Sequence, residues 1–232
     1  MTKAGVLKKI AILVLVLAVP GFLYYLLTAE GKNRYKPLPV FGPKHLAKTF
    51  HRVKGKNIPD TVYHTISDFK LTDQNGHPVT LKTFENKIFV ANFFYTKCPT
   101  VCNVMNRYVS DLDSIYAKNK LVNFVSITVD PEHDTPQVLK DYAKGFATTQ
   151  KRFFLTGDST AIFNLARKGF LVNALQAGKN EFIYSNKFIL VDKDKRIRGY
   201  YTGAVATDVN RLDDEIKVLI SEELRKNDKS LY

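Results

Sequence analysis

The chain has no tryptophan, and only two cysteines and two methionines among its 232 residues. Two cysteines exclude a disulfide-stapled scaffold, a device of small secreted domains that a chain this long does not need. They also exclude a structural zinc site made of cysteine pairs, because such a site takes four ligands and there is no second pair. Histidine is scarce as well, limited to His45, His51, His64, His77 and His133. Acidic residues are outnumbered, 22 against 35 Lys and Arg, for a net charge of +13. That surplus is uneven: residues 1–60 carry 11 basic and 2 acidic residues, and the remaining residues carry 24 and 20. The folded part is therefore nearly balanced, and it shows no base-reading motif, so nucleic acid is not an expected partner. A basic stretch beside an apolar run is instead suited to anionic lipid head groups.

The apolar run is IAILVLVLAVPGFLYYLL, residues 10–27, preceded by Lys3, Lys8 and Lys9. Its 18 uncharged residues fall within the range of a bilayer-spanning helix, with Tyr24 and Tyr25 placed as interface anchors. No small-x-small cleavage site follows it and no cysteine lies near it, which argues against a cleaved signal peptide and against lipoprotein processing. The expected organisation is a short tail at 1–9, a transmembrane anchor at 10–27, a basic linker at 28–60, one folded domain at 61–226 and a tail at 227–232. The linker reading rests on Gly31, Pro37, Pro39, Gly42, Pro43, Gly55 and Pro59 and on the lack of a period.

From residue 61 the pattern sharpens. DFKLT and HPVTL flank a turn at Asn75-Gly76 and predict a hairpin. KIFVANFFY (87–95) and LVNFVSITVD (121–130) are continuous apolar runs, as in strands buried on both faces. VMNRYVSDLDSIYA carries a helical apolar stripe, and a second helix starts near Thr135-Pro136. FFLTG is a short strand, STAIFNLARKGF a helix opening at Ser159 or Thr160, and KFILVD with IRGYY a second hairpin. A final helix places Val209, Leu212, Ile216, Leu219, Ile220 and Leu224 on one face. This order predicts an α/β domain of thioredoxin-like type, a central mixed sheet with helices on both faces.

Both cysteines lie in FFYTKCPTVCNVMN, between a buried strand and a helix. A helix starting at Pro99 would put Cys98 and Cys102 on one face at its positive end, with Lys97 adjacent. That setting favours the thiolate. The pair is then suited to forming a disulfide, exchanging electrons as dithiol and disulfide, or holding a soft ion such as Cu(I).

Three stretches together, FFYTKCPTVCNVMN, VDPEHDTPQVLKDYA and KFILVDKDKRIRGYYTG, resemble the Sco/SenC family over about residues 60–224. The resemblance implies a domain held at the outer, extracytoplasmic face of a bacterial inner membrane, which is the expected location, or in the mitochondrial intermembrane space. It implies copper bound by the two cysteines of CxxxC and one distant histidine, in the service of assembling a copper site of cytochrome c oxidase. The expected function is thus copper delivery, thiol-disulfide reduction, or both. The expected partner is the copper-bearing oxidase subunit or another copper or thiol carrier. In the family the histidine falls in a pattern like H-S-x-K-F-x-L-V-D, and here the matching stretch is Y-S-N-K-F-I-L-V-D. Tyr184 stands at the ligand position, and no histidine lies within 50 residues of it. Asn103 replaces the proline that often follows the second cysteine.

A phenol is a hard donor with an ordinary pKa near 10, poorly matched to Cu(I) and no substitute for the imidazole that Cu(II) favours. The site residues expected are Cys98 and Cys102, as redox pair and Cu(I) ligands, with Tyr184 at the third position and doubtful as a ligand. A copper-independent thiol-disulfide oxidoreductase is the alternative. His133 reads as a solvated loop residue, Met105 as core, and Asp130, Glu132 and Asp134 as a capping loop before a helix. A peroxidase of the peroxiredoxin type is disfavoured, since the upstream Pro-x-x-x-Thr-x-x-Cys is absent and Tyr95 stands at the threonine position.

Overall fold

The computed structural model describes residues 3–29, 37–53, 55–98, 100–146, 148–178 and 181–229. Two compact units divide at residues 36 and 37.

The first unit is a helix, α1 (Lys3–Ala29), with Pro20 inside it. Its described apolar side chains, from Ile12 to Tyr25, are largely exposed. Side chains are described without a gap only over residues 12–26, short of the roughly 20 residues a crossing takes. Among the described residues no helix is long and apolar enough to cross a membrane.

The second unit begins earlier than the sequence suggested. Strands β1 (Lys44–Val53) and β2 (Lys56–Tyr63) form an antiparallel hairpin inside the stretch read as linker. Just before it, Phe41 N–H donates to Ile197 O at 2.8 Å, and Leu38 N–H donates to Glu222 at 2.7 Å. Arg198 donates to the Leu38 and Pro39 carbonyls. The glycines and prolines of this segment shape turns and a docked strap, so residues 37–60 are not a free linker.

The main sheet has seven strands. They are β3 (Lys70–Asp73), β4 (Pro78–Thr80), β5 (Ile88–Phe94), β6 (Val122–Thr128), β7 (Arg152–Thr156), β10 (Lys187–Val191) and β11 (Ile197–Thr202). Their order is β11-β10-β5-β6-β7-β3-β4, with β5, β6 and β7 parallel and the other pairs antiparallel. A separate hairpin, β8 (Ala174–Gly178) and β9 (Glu181–Tyr184), was not foreseen. Its strands are short and mostly exposed, and no apolar alternation marks them.

Every residue of β5 and β6 is buried, which explains their unbroken apolar runs. Ile88 and Val90 pack with α2 (Val101–Ile115) and α5 (Ala206–Lys229) through Met105, Val109, Leu112, Leu212, Ile216 and Leu219. Phe89, Ala91 and Phe93 face the opposite way, toward Ile162 of α4 (Ser159–Asn164) and Leu165 and Ala166 beyond it. Phe94 and Phe154 meet Leu139 of α3 (Pro136–Ala143) and the two cysteines. Helices therefore cover both faces of a mixed sheet, as expected. Two details differ. Asp158, not Ser159 or Thr160, caps α4 through Ala161 N–H at 2.8 Å, and Leu224 at the end of α5 is 52% exposed.

Candidate redox and metal centre

β5 ends at Phe94, whose carbonyl accepts from Val129 N–H at 2.8 Å. The chain then turns through Tyr95, Thr96 and Lys97, and Cys98 N–H donates back to Tyr95 O at 3.2 Å. α2 starts at Val101, not at residue 99; Pro99, expected in its first turn, lies outside the described residues. Cys98 thus precedes the helix while Cys102 sits in its first turn. Their Cα atoms are 5.9 Å apart and their sulfurs are joined as a disulfide. Cys102 is 0% exposed and Cys98 5% exposed, so an attacking group reaches Cys98 first. The Cys102 amide N–H, at the positive end of α2, points at Cys98 Sγ from 3.3 Å. On reduction that contact favours a thiolate on Cys98.

Tyr184 arrives from the far side of the sequence. It is the last residue of β9, opposite Ala174 of β8, and the next residue is fixed by Ser185 N–H to Asn173 O at 2.9 Å. Its phenol oxygen lies 3.1 Å from Cys98 Sγ and 3.0 Å from Cys102 Sγ. A disulfide sulfur carries no proton, so the phenol is the donor here. Tyr95 packs edge-on against its ring at 5.7 Å. Burial, and to a lesser degree the neighbouring Tyr95 and Tyr142, pushes the Tyr184 phenol up to about 12. It therefore stays protonated through the physiological range. An open cleft of about 440 Å³ adjoins it, lined by Leu171, Asn173, Ile183, Ser185, Lys187 and Tyr200 among others.

Of the acidic or Thr caps expected for α3, Thr135 is the one that caps it, through Val138 N–H at 3.4 Å, and the acidic loop does something the sequence did not show. Asp134, fully buried, accepts from Thr96 N–H at 3.0 Å, Thr96 Oγ1 at 2.5 Å and Thr128 Oγ1 at 2.5 Å. His133 Nδ1 lies 2.9 Å from the same carboxylate. Asp130, His133 and Asp134 are close enough together to hold a cation, but Asp134 already has both oxygens occupied by the loop that leads to Cys98. Burial, and next the neighbouring Asp134, raise the Asp130 carboxyl above its ordinary range. His133 is held in this knot, and Met105 is 0% exposed in the core. Asn103 contributes its side chain to a further contact, accepting from Tyr142 Oη at 3.4 Å, while Asn106 Nδ2 donates to Tyr142 Oη at 2.8 Å. The signal that could have found the Asp134 knot is the Thr96 and Thr128 pair, one hydroxyl two residues past the end of β5 and one on the last residue of the adjacent parallel β6.

Phenol burial has a pH consequence. Tyr184 and Tyr200 are both raised to about 12 by burial, and Tyr116 and Tyr201 are raised as well by burial and by hydrogen bonds to Asp213 and Glu215. Unfolded tyrosine titrates near 10. The stabilisation is whole below about pH 10 and is lost as pH rises toward 12, because the unfolded chain releases its protons first. The urea midpoint is expected to fall steeply between about pH 10 and about 12; a flat midpoint over that range would contradict the phenol burial.

What the donor set can do follows from its softness. The disulfide offers no thiolate to a metal. The reduced pair offers two soft sulfurs, which fits Cu(I), whereas a neutral phenol in third place does not fit Cu(II).

The SCO1/SenC family profile matches residues 59–221. The chain is 29% identical over 167 residues to the SCO1 protein homolog of Bacillus subtilis, covering 70% of this chain and 86% of that one. It is similar to the solved structure of BsSco, described as a cytochrome c oxidase assembly protein with a disulfide switch, at 28% identity and TM-score 0.60, covering 66% of this chain and 92% of that one. It is also similar to copper-bound ScoI of Bradyrhizobium japonicum, at 30% identity and TM-score 0.53, covering 63% of this chain and 98% of that one. With a strand-to-helix cysteine pair, a thioredoxin-like mixed sheet and a profile match over most of its length, the chain belongs to the SCO1/SenC family.

Proposed function

We propose that this protein is a membrane-held assembly factor for a copper site of cytochrome c oxidase, acting through Cys98 and Cys102. The observation that carries the reading is the cysteine pair itself: joined at the start of α2, with only Cys98 slightly exposed and the Tyr184 hydroxyl 3.0–3.1 Å from both sulfurs.

The redox step balances without any added group. With the pair reduced, the Cys98 thiolate attacks one sulfur of a partner's disulfide and expels the other as a thiolate. Cys102 then attacks Cys98 Sγ and releases the partner as a dithiol. Two electrons and two protons pass to the partner, and the pair returns to the disulfide. Tyr184 Oη, 3.0–3.1 Å from both sulfurs, donates to whichever carries negative charge. Copper is cargo in this scheme, taken as Cu(I) by the two thiolates. The partner is the copper-bearing oxidase subunit or another copper or thiol carrier.

Anchoring is part of the same reading. The 18 uncharged residues 10–27, within α1, support a single membrane span. The folded domain then lies on the extracytoplasmic side of a bacterial inner membrane, where a dithiol is useful against an oxidising surround. Because Tyr184 replaces the family's histidine, a copper-independent reductase is the second reading, and one titration separates the two. Reduced protein is titrated anaerobically with Cu(I) against a chelator, beside Cys98→Ser. One Cu(I) per wild-type chain, lost in the variant, is the expected result. No binding by the reduced wild type removes the copper role, and failure of the pair to exchange with a partner dithiol removes the redox role.

A further inference from the structure

Among the described residues the β1–β2 hairpin pairs only within itself, touches the main sheet's end through Arg196 over the Tyr63 ring, and has most of its residues exposed. A lone two-stranded hairpin is marginal in water unless something covers it. The register shows what one face carries. Asn57, Pro59 and Tyr63 alternate with their neighbours along β2, and with Thr61 they share a face. Their partners across the hairpin are Arg52, Phe50, Lys44 and, opposite Thr61, Leu46. Leu46 is 67% exposed and Phe50 62% exposed. The face thus presents two bare apolar side chains flanked at either end by a cation, with no acid. The one acid of the hairpin, Asp60, is on the other face, where it is engaged by His51 at 2.6 Å. Residues 44–63 carry five Lys and Arg against that single Asp.

We infer that the Lys44–Leu46–Phe50–Arg52 face of the β1–β2 hairpin docks on an anionic lipid bilayer. Cations flanking an apolar centre match an interface whose surface is negative and whose interior is hydrocarbon. The position along the chain allows it. Eight residues, 30–37, separate the end of α1 from Leu38, which is hydrogen-bonded to the domain just before β1. Extended, they span at most about 30 Å. The inference rests on the proposed membrane anchor, and its test separates the two.

The chain has no tryptophan, so Phe50→Trp makes a sole reporter. Full-length protein is reconstituted with vesicles of phosphatidylcholine, or of phosphatidylcholine with phosphatidylglycerol, and floated on a density gradient. The expected result is flotation with both, and blue-shifted emission quenched by brominated lipid with the anionic vesicles only. Adding Lys44→Glu and Arg52→Glu should abolish the shift while flotation persists. A control reporter at Ile115→Trp, at the end of α2 and 62% exposed, should stay water-like throughout. Flotation with water-like emission from position 50 overturns the docking and leaves the anchor standing. Emission that shifts equally on neutral vesicles, or shifts without lipid as protein concentration rises, also overturns it, the latter in favour of pairing with a second copy. Flotation with the anionic vesicles alone, with the shift present, upholds the docking and overturns the anchor.

Discussion

Tyr184→His is expected to raise Cu(II) affinity by at least about 100-fold while changing Cu(I) affinity far less. The geometry fixes the direction. Tyr184 Oη lies 3.1 and 3.0 Å from the two sulfurs, so residue 184 is aimed at the pair, and the shorter imidazole leaves room for an ion between its ring nitrogen and the sulfurs. The phenol there is protonated, held up to about 12 by burial, and offers a Cu(II) ion almost nothing at neutral pH. An imidazole is a preferred ligand for that ion, and completes a two-sulfur, one-nitrogen set. The magnitude is a lower bound: partners that merely orient a ligand are worth about 10–100-fold, and this change supplies the ligand itself. Cu(I) gains less because two thiolates already satisfy a soft ion of low coordination. Competition titrations of the reduced wild type and variant with each ion would check it. Equal Cu(II) affinities would mean that residue 184 does not face the bound metal. Tyr184→Phe is the companion variant. It removes the hydrogen bond and adds no ligand, so it should leave Cu(II) binding as weak as in the wild type and raise the thiol pKa of Cys98.

Much of this was legible before any coordinates, and the reasons are physical. β5 and β6 are buried on both faces, and their unbroken apolar runs are the direct imprint of that burial. The turn at Asn75-Gly76 needs a positive φ, which Gly76 supplies at +83°. Cys98 and Cys102 stand out by their spacing after a buried strand and Tyr184 by the resemblance to the Sco/SenC pattern, and the structure brings all three within hydrogen-bonding distance. The two extra hairpins left no such imprint. β1–β2 and β8–β9 are short or little buried, so their residues carry no apolar/polar alternation to read, and the glycines and prolines of the first read as linker. Asp134 was weighed as a helix cap because it precedes one. Its true partners, Thr96 and Thr128, lie 38 and 6 residues away and meet it only once β5 and β6 are paired. The same holds for the partners of Tyr142 and Asn106 beneath the cysteine helix, 36 residues apart in sequence.

Asp134→Ala is expected to be the most damaging single substitution outside the cysteines, costing about 3–5 kcal/mol of stability. The carboxylate is 0% exposed and is engaged by three hydroxyl or amide donors and the His133 ring. Removing it leaves the half-buried Thr96 N–H and hydroxyl and the buried Thr128 hydroxyl without their acceptor, and each donor orphaned away from water costs about 1–3 kcal/mol. A domain of this size has only about 5–15 kcal/mol in total, so the loss is a large share. Urea denaturation at pH 7 would read it directly, and a cost below about 1 kcal/mol would show that the knot is solvated. The functional effect runs through Thr96. It sits two residues before Cys98, and its amide and hydroxyl are what Asp134 grips. Freed, the Tyr95–Cys98 turn no longer holds Cys98 Sγ over the Cys102 amide, and the reduced pair loses the contact that favours its thiolate. Asp134→Asn separates the two roles. It keeps the side chain's size and one acceptor oxygen, so it should recover part of the stability. Its amide group donates where the carboxylate accepted, so the Thr96 contacts cannot all be restored. The rate at which a small disulfide oxidises the reduced pair should therefore stay low in Asp134→Asn even as its urea midpoint recovers, which a purely structural role for Asp134 would not produce.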